Sequence, residues 1–265
     1  MFRKNTLAML VSEFLGTGLL ALVVLSMLRS QGGTFNTGAA AGLMMGLLVL
    51  AVGAISGAVV NPAITIGLWS VRKLKALQAL SYILVQFAGA AAAWYLFVYF
   101  TKIDTGTIKH DEIGKFASRT FAAELLGSFV FAFAIAAAIY QRLSGGVKAA
   151  VIGLGLLLGI VIASLGSAGA VNPAVAFSIQ QWNVWAYMLA PVVGAALGFN
   201  LYNLLFVETE VAEVAEAREE AIENRAASAR VARVVEKPAR ATTTTRRTTT
   251  AKRKTTAKKA TTKRK

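Results

Sequence analysis

Asn61-Pro62-Ala63-Ile64-Thr65 and Asn172-Pro173-Ala174-Val175-Ala176 are the two stretches on which the fold turns. Proline suits the first position of a helix, where its missing N–H has no partner to lose, and asparagine suits the position just before it. Each box therefore reads as a helix start. A single Asn-Pro ordinarily marks no more than a loop-to-helix turn. Two copies are more informative, because each opens a short apolar stretch, about 61–70 and 172–180, half the length of a membrane span.

Six other segments, about 6–28, 36–56, 77–100, 119–141, 147–166 and 184–207, supply the ~20 apolar residues that a bilayer core demands of a helix. The 265-residue chain is 56% hydrophobic. That composition exceeds the range of ordinary soluble domains. Met1-Phe2-Arg3-Lys4 and the apolar run behind it imitate a secretory signal, but the run is long enough to span and is expected to stay as the first span.

The body is duplicated. Asn61 to Asn172 is an offset of 111 residues, and Glu13 to Glu124 is the same. Around the latter pair, Ser12-Glu13-Phe14-Leu15-Gly16-Thr17 parallels Ala123-Glu124-Leu125-Leu126-Gly127-Ser128. Gln86-Phe87-Ala88-Gly89 and Pro191-Val192-Val193-Gly194 continue the likeness at an offset of 105, which implies a shorter loop in the second copy. One unit thus holds three spans and a half-span. An odd number of spans forces the second unit to enter the membrane from the opposite side, so the two are related by a pseudo-two-fold axis in the membrane plane. The expected fold is an all-α membrane protein of six spans and two re-entrant half-helices in two inverted repeats, about 6–100 and 119–207, within a channel domain of residues 1–207.

Inversion brings one half-helix in from each face, so their N-termini meet near the midplane. Orphan N–H groups there are tolerable only against protein or pore water. Two helix N-termini at one spot repel cations, and the amides of Asn61 and Asn172 are placed to donate to a passing solute oxygen.

Charge supports the topology. With both termini cytoplasmic, the inner side carries Arg3, Lys4, Arg72, Lys73, Lys75, Arg142, Lys148 and the tail. The outer side carries Arg29, Lys102, Lys109, Lys115 and Arg119, diluted by Asp104, Asp111 and Glu112. That bias follows the positive-inside rule. There are no cysteines, and the one histidine, His110, sits among charged residues as a loop residue would. No nucleophile, metal-ligand or phosphate-loop pattern is present, so no catalytic residue, metal site or cofactor is expected.

With these motifs the chain resembles the aquaporin and aquaglyceroporin (major intrinsic protein) family over roughly residues 6–207. The carriers are Ile55-Ser56-Gly57-Ala58-Val59-Val60-Asn61-Pro62-Ala63-Ile64-Thr65, Gly169-Ala170-Val171-Asn172-Pro173-Ala174 and the Glu-x-x-Gly boxes at Glu13 and Glu124. The resemblance implies a passive channel for water or small uncharged solutes such as glycerol, urea or ammonia. It also implies a homotetramer in the lipid bilayer of the cell membrane, with one pore per subunit. Passing water would be turned so that it cannot hand a proton along the file. Glu13 and Glu124 would brace the re-entrant loops, the alternative for an intramembrane carboxylate being a proton relay.

One departure matters. The family usually places an arginine directly after the second box, at the narrow constriction, and here that residue is Val175. The remaining constriction positions carry over to Ala41, Ile160 and Gly169. The expectation is a wide, apolar constriction, less selective than one with arginine, or one closed by dewetting.

Residues 208–236 are rich in Ala, Glu, Arg and Val, with acids early and bases late, which suits a helix. Val207, Val211, Val214, Ala217, Ala221 and Ala229 would either bundle several tails or leave a single solvated helix. Residues 237–265 hold 12 Lys and Arg and no acidic residue. Such a tract is expected to be disordered, and three uses stay open to it: anionic lipid, nucleic acid, or plain solvation. Two rivals to a channel follow. A coupled transporter would want more midplane ionisable groups than the Glu pair. A membrane anchor would use a closed or degenerate pore to tether the basic tail.

Overall fold

The computed structural model describes residues 4–104 and 114–207, and beyond them Ile222, Asn224, Arg225 and Ser228. The expectations for His110, and nearly all of those for residues 208–265, lie outside the described residues.

Among the described residues every regular element is helical. α1 spans Lys4–Arg29, α2 Gly33–Ser56, α3 Pro62–Ser70 and α4 Ala76–Thr101. α5 spans Ser118–Tyr140, α6 Gly145–Ala163 and α7 Pro173–Ser178, and α8 runs over Val184–Val207. The six long helices are long and apolar enough to cross a bilayer. α3 and α7 begin one residue after Asn61 and Asn172 and are too short to cross. The first six residues of α8, Val184–Leu189, are wound as a π-helix. Pro191 lies two residues past its end; it has no N–H for the carbonyl four residues back, inside the π-wound segment, and its ring crowds that carbonyl, so the wider winding accommodates it.

Packing repeats as the sequence does. In the first copy α1 lies on α2 and α4, and α3 lies on α4. In the second α5 lies on α6, and α7 lies on the π-wound start of α8. The close approach of Gly194 and Gly198 to the carbonyls of Leu125 and Phe129 seats α8 on α5. The copies interlock through α2 against α6, and each half-helix also packs on the first span of the other copy, α3 on α5 and α7 on α1.

The α2–α6 crossing displays the inversion. Gly38 faces the carbonyl of Leu157, Gly42 that of Gly153, and Gly46 that of Ala149, so the register runs in opposite senses. Gly42 and Gly153 are themselves 111 apart and meet each other, which places the pseudo-axis between them. A Cβ on either would lie 2.5 Å from the other's carbonyl oxygen. Backbone contact this close is what small residues permit between helices in lipid.

The two ends of the bundle are held by polar side chains. At one, Lys73 Nζ stands 4.6 Å over the Tyr140 ring, Asn200 Nδ2 donates to Ser70 Oγ, and Gln141 Nε2 donates to Tyr202 Oη. At the other, Asn183 Nδ2 and Trp185 Nε1 donate to the carbonyls of Lys115 and Gly114. Leu residues such as Leu43, Leu77, Leu84 and Leu154 stand exposed on the long helices, where lipid would cover them. In the C-terminal unit, Ile222, Asn224, Arg225 and Ser228 are helical, and Ser228 Oγ donates to the Asn224 carbonyl.

Candidate functional site: the paired half-helices and the cavity beside them

Each asparagine does two jobs. Asn61 Oδ1 accepts from Ala63 N at 2.8 Å and Ile64 N at 3.4 Å, capping α3. Asn172 Oδ1 accepts from Ala174 N at 3.0 Å and Val175 N at 3.4 Å, capping α7. The amide nitrogens reach across. Asn61 Nδ2 donates to the carbonyl of Val171 and Asn172 Nδ2 to that of Val60, both at 2.9 Å. The boxes are thus tied tip to tip, each amide bonded to the residue just before the other asparagine. One N–H of each amide is occupied in this way, which leaves one further N–H on each. Pro62, Ala63, Pro173 and Ala174 are all buried behind the asparagines.

The backbone leading into each box is bent by left-handed residues. Val60 has φ 43° and Val171 φ 44°; Ala58 has φ 49° and Gly169, its equivalent, φ 68°. A β-branched residue with positive φ is strained by ~1–3 kcal/mol and persists only where its surroundings hold it. The carboxylates do the holding. Glu13 Oε1 accepts from Ser56 Oγ at 2.7 Å and Val59 N at 3.0 Å, and its Oε2 accepts from Val60 N at 2.7 Å and Gln86 Nε2 at 2.8 Å. Glu124 Oε1 accepts from Ser167 Oγ at 2.7 Å and Ala170 N at 2.8 Å, and its Oε2 accepts from Val171 N at 2.7 Å. Both glutamates have no exposed surface.

The Glu-x-x-Gly box now has a physical meaning. Residues i and i+3 share a helix face. Glutamate holds the re-entrant loop, and the glycine beside it makes room for the loop's valine. A Cβ on Gly16 would lie 2.6 Å from Val60 Cγ1, and one on Gly127 would lie 2.8 Å from Val171 Cγ1.

Sequence reasoning missed part of this. Gln86 Nε2 also donates to Thr65 Oγ1 at 3.0 Å, and Thr65 Oγ1 donates to the Asn61 carbonyl at 2.8 Å. This wires Glu13 through Gln86 and Thr65 to the first box. Tyr82 Oη donates to the Ser56 carbonyl, while Tyr187 Oη accepts from Ala168 N. The offsets from Ser56 to Ser167, 111, and from Tyr82 to Tyr187, 105, match those of the boxes and of Gln86 to Pro191, and were the available signals.

Ala41, Ile160, Gly169 and Val175 come together around one cavity, which Asn172 also lines. Its volume is ≈ 20 Å³, room for about one water. Leu20, Val24 and Leu28 of α1 and Leu156 of α6 share its wall. Above it a vestibule of ≈ 290 Å³ opens between Gln31, Thr34, Thr37 and Ser164. Thr37, Leu28, Ile160 and Ala168 belong to both spaces, so one leads into the other.

Six spans in two interlocked copies, with half-helices tied at their tips beside a small cavity, make up a pore-forming membrane architecture. The chain belongs to the major intrinsic protein family, whose family model matches residues 2–202. It is 30% identical over 242 residues to aquaporin AqpM of Methanothermobacter marburgensis, covering 75% of this chain and 97% of that one. With aquaporin Z of Photorhabdus laumondii it shares 31% over 188 residues, 64% of this chain and 81% of the relative. Its fold matches the X-ray structure of the aquaglyceroporin from Plasmodium falciparum with a TM-score of 0.64 at 20% identity, over 77% of this chain and 98% of that one. The protein is a multi-pass integral membrane protein.

Proposed function

We propose that the chain is a passive transmembrane channel for water or small uncharged solutes, with Asn61 and Asn172 at its midpoint and Ala41, Ile160, Gly169 and Val175 at its constriction. The observation that carries this reading is the reciprocal tie between Asn61 and Asn172, which fixes two helix N-termini beside a cavity lined by Asn172 and open to a vestibule. The family is one of channels, and relatives named aquaporin support the solute class. Helix N-termini disfavour cations at that point, and the one remaining N–H of each amide orients a neutral oxygen.

Glu13 and Glu124 act as braces. Each accepts backbone N–H groups of its own re-entrant loop, a use of a buried carboxylate that needs no proton transfer. The constriction is apolar, with Val175 where relatives usually carry arginine, and solute choice rests on size and desolvation. Assembly is as a homotetramer with both termini cytoplasmic in the cell membrane, and the basic tail binds anionic lipid.

Stopped-flow light scattering on proteoliposomes, challenged with water, glycerol, urea and ammonia gradients, tests the reading. At least one neutral solute should cross faster than through empty vesicles, and protons should not. No acceleration of any solute, with or without residues 208–265, would favour the anchor instead, a closed pore that tethers the basic tail.

A further inference from the structure

The ≈ 20 Å³ cavity lies on the Asn172 side of the paired boxes, and the repeat defines its counterpart on the Asn61 side. Gly42 and Gly153 meet across the pseudo-axis, and the bonds of the two loops to their glutamates repeat at the same offset of 111. Each wall residue of the cavity therefore has an equivalent 111 positions away. Phe131 is the equivalent of Leu20, and Ile152 that of Ala41. Both are buried, and they belong to one packed core with Leu20 and Ala41. They also approach each other across the contact of α5 with α6. A Cβ on Gly155 would lie 3.7 Å from Phe131 Cδ2, and Ile152 is one turn before Gly155 on the same face.

The two sides offer the same kinds of polar group. Loop backbone supplies residues 168–170 on one side and 57–59 on the other, and each asparagine has one further N–H. They differ in bulk. Ile152 and Phe131 each carry three more carbons than Ala41 and Leu20. Val59 carries two more than Ala170, and Ile64 one more than Val175. Two exchanges run the other way, Val49 for Ile160 and Gly57 for Ala168, by one carbon each. The cavity at Asn172 has room for about one water. The same space walled by the larger set has room for none.

We infer that Phe131 and Ile152 form a second collar, on the Asn61 side, and that this collar, rather than the cavity around Ala41, Ile160, Gly169 and Val175, is the barrier that limits flux. This rests on the channel reading and adds to it a rate-limiting position and the two residues that make it.

The test uses the full chain in proteoliposomes. Osmotic shrinkage reads water and glycerol, and a trapped anionic dye reports leaks. Ile152→Ala and Phe131→Leu each copy onto the Asn61 side the residue found on the Asn172 side, so that one variant remains if the other fails to fold. Either should raise water permeability about tenfold, the worth of one hydrogen bond kept by a water that no longer crosses the collar alone. The double variant should gain more, with no dye released. Ala41→Ile, the reverse copy, should slow the double variant by a larger factor than it slows the wild type, because two barriers in series add. Folded variants that conduct no faster than a conducting wild type overturn the inference and leave the channel standing. So does a rise that the dye shares, which reports a loosened bundle. If no form, the double variant included, carries water or glycerol faster than empty vesicles, channel and inference fall together.

Discussion

The loop that enters the first Asn-Pro-Ala box and the loop that enters the second share one brace and differ in how many donors complete it. Ser56 and Ser167, Val59 and Ala170, and Val60 and Val171 bond to their glutamates atom for atom at an offset of 111. Around Glu13 there is one donor more. Gln86 joins the carboxylate to Thr65, and Thr65 to the box. The equivalents of Gln86 and Thr65 are Pro191 and Ala176, which have no side-chain polar atoms. Glu124 thus keeps Ser167, two loop N–H groups and no amide side chain. The shared part shows what a re-entrant loop requires, since inside a bilayer no water replaces a lost donor. The unshared part is reinforcement.

The largest effect should come from deleting the shared part. Glu13→Ala orphans Val59 N and Val60 N and deprives Ser56 and Gln86 of an acceptor; Glu124→Ala orphans Ala170 N and Val171 N and deprives Ser167. At ~1–3 kcal/mol for each buried orphan, either change costs about 3–6 kcal/mol or more. Thermal unfolding in detergent should rank Glu13→Ala as the more damaging of the two. Equal melting temperatures for both variants and wild type would mean that the loops stand without their carboxylates.

Much of this architecture was legible before any coordinates. The boxes at Asn61 and Asn172 and the glutamates at 13 and 124 are paired, and pairing at a single offset separates signal from coincidence. Helix bounds were readable to within a few residues because charged and turn residues interrupt the apolar runs. What escaped notice is what occurs once or lacks contrast. Gln86 and Thr65 have no partners in the second copy, and their link depends on side-chain geometry across 21 residues. Leu20 and Val24 are aliphatic residues in an aliphatic span, indistinguishable in sequence from neighbours that face lipid. The cavity around Ala41, Ile160, Gly169 and Val175 is also lined by α1, which lies outside the four positions carried over.

A smaller effect should follow from making the first loop resemble the second. Gln86→Leu removes the extra donor at similar volume, leaving Glu13 with Ser56, Val59 and Val60, the complement that Glu124 has. The cost should be about 1–3 kcal/mol, one hydrogen bond to a buried acceptor, with the protein folded and solute flux retained in the vesicle assay. If Gln86→Leu were as damaging as Glu13→Ala, the amide would be part of the brace itself. The second loop would then need an equivalent that Pro191 does not provide.

The smallest effect is expected at Thr65. Thr65→Val keeps the shape and deletes the hydroxyl, yet the Asn61 carbonyl it bonded still accepts from Thr65 N at 2.9 Å, and Gln86 still bonds Glu13 at 2.8 Å. Gln86 Oε1, fully buried, loses the Thr65 hydroxyl at 3.2 Å, so the cost should be about 1 kcal/mol, the low end of the range for Gln86→Leu. Combining Thr65→Val with Gln86→Leu gives the decisive reading. The two changes share the bond between Gln86 Nε2 and Thr65 Oγ1, so the double variant should lose less than the sum of the singles, since that bond can be lost only once. Strict additivity in detergent melting would show that Glu13, Gln86, Thr65 and the first box do not act as one chain, and that the two loops differ in composition alone.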